Sequence, residues 1–208
     1  MAELGAWASI HRHGLLSTTA LLDLFSIDGD ARYQLESRHR PRSEQINNSQ
    51  LGTATIRDQG PMSDSALVKC LRGMTPREWY ELLNRMVFFW VTEERVNNLL
   101  EARRYRDGEH TVITVDTASL LEHHNGRIKL SPINSGSTLY KPQPRGRNTF
   151  LPLTDYPYAD RRKKRGIANA VAELAVDYSV PDLLEHAVRV ERRHRSLVVE
   201  VIYEKHGA

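Results

Sequence analysis

Apolar positions at the start of the chain fall at near-helical spacing. Trp7, Ile10, Leu15 and Leu16 alternate with polar residues, and Gly14 stops the turn as glycine past a helix end often does. Ser17, Thr18 and Thr19 can cap a second helix whose buried side carries Leu21, Leu22, Leu24 and Phe25. Residues 28–52 lose this periodicity and, with the turn material "DGD" and "NNSQLG", read as loop. "MSDSALVKCL", from Met62 to Leu71, predicts a short helix. "TPREWYELLNR" predicts another, with Thr75 as N-cap, Pro76 at the first helical position and Glu78 three residues after the cap, a capping box.

The pattern then changes. Met86 to Thr92, "MVFFWVT", is a dense β-branched and aromatic run that reads as a central strand. A helix follows from Thr92, with Glu93 and Glu94 in its first turn, where negative charge suits the helix dipole. "HTVITVDT" predicts a strand with Val112, Thr114 and Asp116 on one face and Thr111, Ile113 and Val115 on the other. "ASLLEHHNGR" gives one or two helical turns, and "IKLSPINSG" a weaker strand and turn. Gly136, Pro142, Pro144, Gly146, Pro152 and Pro157 mark residues 135–160 as a long loop. A strand headed by Glu173, a helix from Pro181 and a last strand, "SLVVEVIYE", complete the chain. The order of elements is α+β, with no repeat and no boundary, so one domain over residues 1–208 is expected.

Composition narrows the class. The 208 residues are 40% hydrophobic and 26% charged, which suits a soluble globular protein. No apolar run approaches the roughly 20 residues of a membrane helix, so no membrane partner is expected. The N-terminus lacks a basic start followed by an apolar stretch, and so does not read as a secretory signal. Cys70 is the sole cysteine, which leaves no intrachain disulfide and makes a cytoplasmic location the default. The net charge of +3 is mild, but basic residues cluster at Arg38–Arg42, Arg161–Arg165 and Arg189–Arg195. Clustered guanidinium groups suit phosphates, so nucleic acid or a dinucleotide is a candidate partner. Any one cluster alone is more often the mark of a solvated face.

Several familiar sites are absent: a phosphate loop, a GxGxxG turn, HExxH and paired cysteines. His123 and His124 are adjacent, so on a helix they point about 100° apart and make no metal-binding face; no metal is expected. Glu173 stands out against this background. A carboxylate at the head of an otherwise apolar strand, followed by the helix-start signal Val180-Pro181-Asp182, can be held rigidly at a cleft. The alternative is an edge-strand residue paired with an arginine. "SPINSGST", Ser131 to Thr138, is small, polar and turn-rich, and could line a pocket or simply turn the chain.

Five segments in one order resemble the DarT-like ADP-ribosyltransferases, NAD-using toxins that modify nucleic-acid bases. They are "WASIHRHGLLS", "LESRHRPR", "MVFFWVTEERVNNLL", "HTVITVDTASLL" and "AVAELAVDYSVPDLLEHAV", and together they cover most of the chain. The resemblance implies a split mixed and antiparallel sheet core with peripheral helices. It implies an enzyme, with Glu173 as catalytic acid and Arg38 as the guanidinium holding the pyrophosphate of NAD, with Arg40 and Arg42 as rivals. Phe88, Phe89 and Trp90 would supply a wall for nicotinamide, or else core packing. Asn134, Ser135 and Ser137 would line the nicotinamide-ribose pocket. The chain departs from the group at Glu93, where a proline is usual, and in the segment around 133–150. A histidine common to the group would fall before Met1.

In such enzymes the bond between nicotinamide and ribose breaks through a transition state with positive charge on the sugar, which a nearby carboxylate stabilises. Tyr140, Arg145 and Arg147, with Arg161 and Arg162 extending the track, interleave basic and aromatic groups in a way that suits a single-stranded nucleic acid. The expectation is an NAD-dependent ADP-ribosyltransferase acting on a DNA or RNA base, with NAD as co-substrate and, in a toxin, an antitoxin as partner. The alternatives are an NAD-dependent RNA 2′-phosphotransferase and a non-catalytic nucleotide or nucleic-acid-binding module.

Overall fold

A computed structural model describes residues 1–205. The chain is α+β, with helices and several small, mostly antiparallel sheets. It packs as two compact units, each assembled from separated segments. One holds Met1–Leu15, Trp90–Gly126 and the chain from Val180 onward; the other holds Leu16–Phe89 and Arg127–Ser179.

The second unit carries a four-stranded sheet in the order Met86–Trp90, Glu173–Asp177, Ile128–Ser131, Leu151–Pro152. The aromatic run expected to be a central strand is therefore at the edge, and the strand headed by Glu173 is inside. Glu173 to Val176 are buried, as an inner strand requires, whereas Phe88 on the edge strand is exposed. Met62, Leu67, Cys70, Trp79, Tyr80, Leu83, Met86, Phe150 and Ala175 form one core. The helix Pro76–Asn84 contributes Trp79, Tyr80 and Leu83 to it. Its capping box is complete: Thr75 accepts from the Glu78 N–H, and the Glu78 carboxylate accepts from the Thr75 N–H.

Residues 28–52 are not a loop. Gly29–Glu36 is a helix, and Glu44–Asn48 pairs antiparallel with Gly52–Ile56. The helix lacks an apolar stripe because ion pairs hold it: Arg32 binds Glu36 at 2.7 Å and Asp23 at 2.6 Å. In the hairpin, Ile46 and Ile56 alone are buried, and they join Leu22 and Phe25. So few apolar positions leave no period to read.

In the first unit, Ala187–His194 runs between Leu197–Glu204 and Glu109–Val115, antiparallel to both. The helix expected from Pro181 is a single turn, Leu183–His186, and the strand begins immediately after it. That strand explains the basic cluster Arg189–Arg195. Arg189 and Arg193 pair with the buried Glu191, each at 2.7 Å from its Nε, and Arg192 pairs with Glu200 and Glu109. Three of its arginines are thus paired with carboxylates of the sheet, while Arg195, past the end of the strand, is exposed 3.7 Å from Asp107. Asp116, expected on the strand, instead caps the helix Thr117–His124 by accepting from the Ala118 and Ser119 N–H groups. Gly14 ends the helix Trp7–His13 at φ 74°, where a Cβ would lie 2.5 Å from the Val180 carbonyl oxygen.

Candidate functional site

The site is built at the N-terminal end of the inner strand. Glu173 lies opposite Ser131 in the antiparallel register, and the Ala172 N–H donates to the Ser131 carbonyl at 2.8 Å. Past Ser131 the chain turns on that residue's hydroxyl, which donates to the Ile133 carbonyl (2.8 Å) and accepts from the Ile133 N–H (3.2 Å). The turn carries Ser135 over the head of the neighbouring strand, where its N–H donates to both carboxylate oxygens of Glu173, at 3.2 and 3.1 Å.

Ser135 is gripped from its other end as well. Its carbonyl accepts from Arg145 Nη1 at 2.9 Å. Arg145 pairs by its backbone with Leu71, donates from Nε to the Gln143 carbonyl at 3.1 Å, and holds its guanidinium 5.9 Å from the centre of the Trp79 ring. Glu173 is 5% exposed and Arg145 is 3% exposed. Burial pushes the Arg145 guanidinium below its ordinary value; Cys70 and the charge of Glu173 act the other way. A carboxylate and a guanidinium thus share one enclosed region with Ser135 between them, which offsets the cost of burying either charge. Beyond it, Thr138 is tied to the Pro61 carbonyl at 3.0 Å and the Ser63 N–H at 2.7 Å.

The expected site residues divide. Glu173 and Ser135 touch. Asn134, exposed, and Ser137, half-buried, lie in the same turn. Phe89 and Trp90, both half-buried, are the last two residues of the strand beside that of Glu173. Arg38 is exposed after the helix Gly29–Glu36, where it donates to Gln34 at 3.1 Å. Its rival Arg40 is a structural residue. It is buried, it donates to the Leu35 and Arg57 carbonyls and to Asn84, and burial pushes its guanidinium down to about 10.

The expected nucleic-acid track is corrected at two positions. Arg145 cannot offer its charge at the surface, because backbone pairing with Leu71 draws it inside. Arg161 is half-buried and spends its donors on the Ala170 carbonyl (3.0 Å) and the Pro132 carbonyl (3.5 Å). Arg147 is exposed beside Glu78, Arg162 is exposed on the helix Tyr158–Arg165, and Tyr140 is 97% exposed. No spacing signal marks Arg145 as the partner of Ser135. The contact depends on a parallel two-residue pairing between segments far apart in sequence.

A second grouping was hidden for the same reason. His124, Asp182 and His186 converge in the first unit, although Asp182 stands 58 residues from His124.

No protein of curated function and no solved structure matches this sequence. A family model, described as a family of unknown function, matches residues 1–187, which include Glu173, Ser135, Arg145 and all three residues of the second grouping. The chain therefore belongs to the DUF7002 family.

Proposed function

We propose that the protein is an NAD-dependent ADP-ribosyltransferase whose catalytic acid is Glu173 and whose acceptor is a nucleic-acid base. The observation that carries the reading is the fixed carboxylate: Glu173 heads an inner strand and is oriented by the Ser135 N–H, beside the small polar turn Asn134–Ser137. The donor set fits part of a dinucleotide. Asn134 is an exposed amide and Ser137 a half-buried hydroxyl within one turn of Glu173, and Arg38 is an exposed guanidinium able to take a pyrophosphate bidentately.

Bound NAD supplies the activated bond between ribose and nicotinamide. The chain's part is electrostatic. Glu173 accepts a hydrogen bond from a ribose hydroxyl and stabilises positive charge developing on the sugar. Because a backbone donor already orients it, little reorganisation is needed as that charge appears. Arg145 does not reach the reacting groups; it positions Ser135, which in turn holds Glu173.

The choice of acceptor rests on exposed groups of the same unit. Arg162, Lys163, Lys164 and Arg165 are exposed and make no ion pair among the described residues, and Tyr140 presents an open ring. Guanidinium and ammonium groups for phosphate with an aromatic face for a base suit a single strand.

The test is nicotinamide release from NAD by the purified protein, with and without mixed DNA and RNA oligonucleotides, beside Glu173→Gln. Release that needs an oligonucleotide and vanishes in the variant supports the reading. No release in any mixture overturns it. The Ser135 contact also favours a second reading, in which Glu173 only fastens the 134–138 turn and the protein binds nucleotide without turnover. NAD binding with no nicotinamide release would select that one.

A further inference from the structure

The helix Thr117–His124 packs against the single turn Leu183–His186 in the first unit. Three side chains meet there. His124 Nε2 lies 2.8 Å from Asp182 Oδ1, and His186 Nε2 lies 3.3 Å from Asp182 Oδ2. One potential ligand atom from each residue lies within 4.8 Å of the others.

Two details are left unexplained by hydrogen bonding alone. His186 is 0% exposed, and its Nε2 makes no hydrogen bond among the described residues despite facing a carboxylate. Its Nδ1 is occupied by the Ser119 hydroxyl at 2.8 Å. In the tautomer whose Nδ1–H donates to that oxygen, Nε2 turns a lone pair toward Asp182, and the two groups can then share a cation. Asp182, in turn, stands at the N-cap of its helical turn without capping it. An aspartate there ordinarily accepts from the helix N–H groups; here both oxygens turn to the imidazoles.

We propose that His124, Asp182 and His186 bind a divalent first-row transition-metal ion of the zinc type, through the two Nε2 atoms and the Asp182 carboxylate. Ligand atoms about 2.0–2.1 Å from a tetrahedral ion stand roughly 3.3 Å apart, and the two imidazole–carboxylate distances, 2.8 and 3.3 Å, are of that order. Two imidazoles and one carboxylate select zinc-like ions over Mg²⁺ and Ca²⁺, which take oxygen ligands. The Ser119 hydroxyl is the outer partner that fixes the ring of His186. The Asp182 side chain is partly exposed, which leaves a side from which the ion enters and a fourth ligand, such as water, can bind. His123 stays outside the set, with Nδ1 on the Ser119 carbonyl at 2.9 Å and Nε2 4.0 Å from Glu185. This inference is independent of the role given to Glu173.

The experiment uses the full chain, stripped with a chelator and titrated with Zn²⁺, with Co²⁺ as a coloured stand-in and melting temperature as a second readout. One Zn²⁺ per chain, a rise in melting temperature, and a Co²⁺ spectrum of tetrahedral type are expected. His186→Gln and Asp182→Asn should each weaken Zn²⁺ binding by more than about 100-fold, while His123→Gln keeps it and Mg²⁺ changes nothing. Absence of saturable Zn²⁺ binding by the wild type overturns the proposal. So does equal binding by Asp182→Asn, which would mark the ion as adventitious. Should His186→Gln fail to fold, the wild-type titration and Asp182→Asn still decide.

Discussion

Both oxygens of the Glu173 carboxylate accept from the Ser135 N–H, at 3.1 and 3.2 Å. The side chain is thus shared between strand and turn, and its shape and its charge can be tested apart. Glu173→Ala leaves the Ser135 N–H without that acceptor in a buried setting and should cost about 1–3 kcal/mol in urea unfolding. Glu173→Gln keeps an acceptor oxygen and should cost less, while lowering NAD-dependent nicotinamide release at least about 100-fold. A glutamine variant less stable than the alanine variant would contradict the hydrogen-bond geometry.

The basic residues should separate into two groups by what they do. Arg145→Met removes donors to the Ser135 and Gln143 carbonyls and should destabilise the fold by about 1–3 kcal/mol. Replacing Arg162, Lys163, Lys164 and Arg165 together by Gln should leave stability within about 0.5 kcal/mol per position. The same change should weaken oligonucleotide binding and flatten its log–log salt slope by up to about 3 for a single strand. A titration at several salt concentrations reads both effects, and an unchanged slope would remove that helix from the interface.

Asp23 supplies a pH dependence. It accepts from Arg32 at 2.6 Å and from the Tyr178 hydroxyl at 2.8 Å, and these bonds, Arg32 first, hold its carboxyl below the ordinary 3.8. A carboxyl depressed in the folded state stabilises it fully above the unfolded value and ceases to do so as pH falls through the folded one. Melting temperature should therefore fall more steeply in the wild type than in Asp23→Asn from about pH 5 downward, with the two curves converging at the acid end. Parallel curves would show that the bonds are too exposed to matter.

Gly14 and Gly166 make a matched pair. Both have positive φ, 74° and 76°, yet a Cβ at Gly166 meets open space while one at Gly14 would lie 2.4 Å from Pro181 Cα. Gly166→Ala should cost about 1–2 kcal/mol for backbone conformation alone. Gly14→Ala should cost clearly more, since backbone must move to admit it. Equal losses in thermal unfolding would mean that the close approach is easily relieved.

Where a segment's own residues determine its structure, the sequence was readable. The capping box at Thr75, the Ser17 cap with its N–H donor Ala20, and Gly14 as a helix stop all stand where their chemistry places them. So does the strand headed by Glu173, and its nearness to Ser135 follows from the short turn after Ser131. The failures share a cause. The helix Gly29–Glu36 is held by Arg32 pairing with a residue outside it, and Ala187–His194 buries a glutamate with an arginine, so both hide their interior faces behind charge. Arg145 and the trio His124, Asp182 and His186 are joined only by chain crossings, which no local pattern records.

The interleaving of the two units sets an order of assembly during synthesis. The unit made of Leu16–Phe89 and Arg127–Ser179 has its last segment before the chain is finished, while the other draws on residues near both ends and includes the strand Leu197–Glu204. On a ribosome, His124 of the helix Thr117–His124 must wait for Asp182 and His186 to be made. A chain stopped after Ser179 would hold every residue of the Glu173 turn and neither of the later two metal-site partners. Nascent chains released at that length and at full length would therefore show at which stage each site becomes protected from protease.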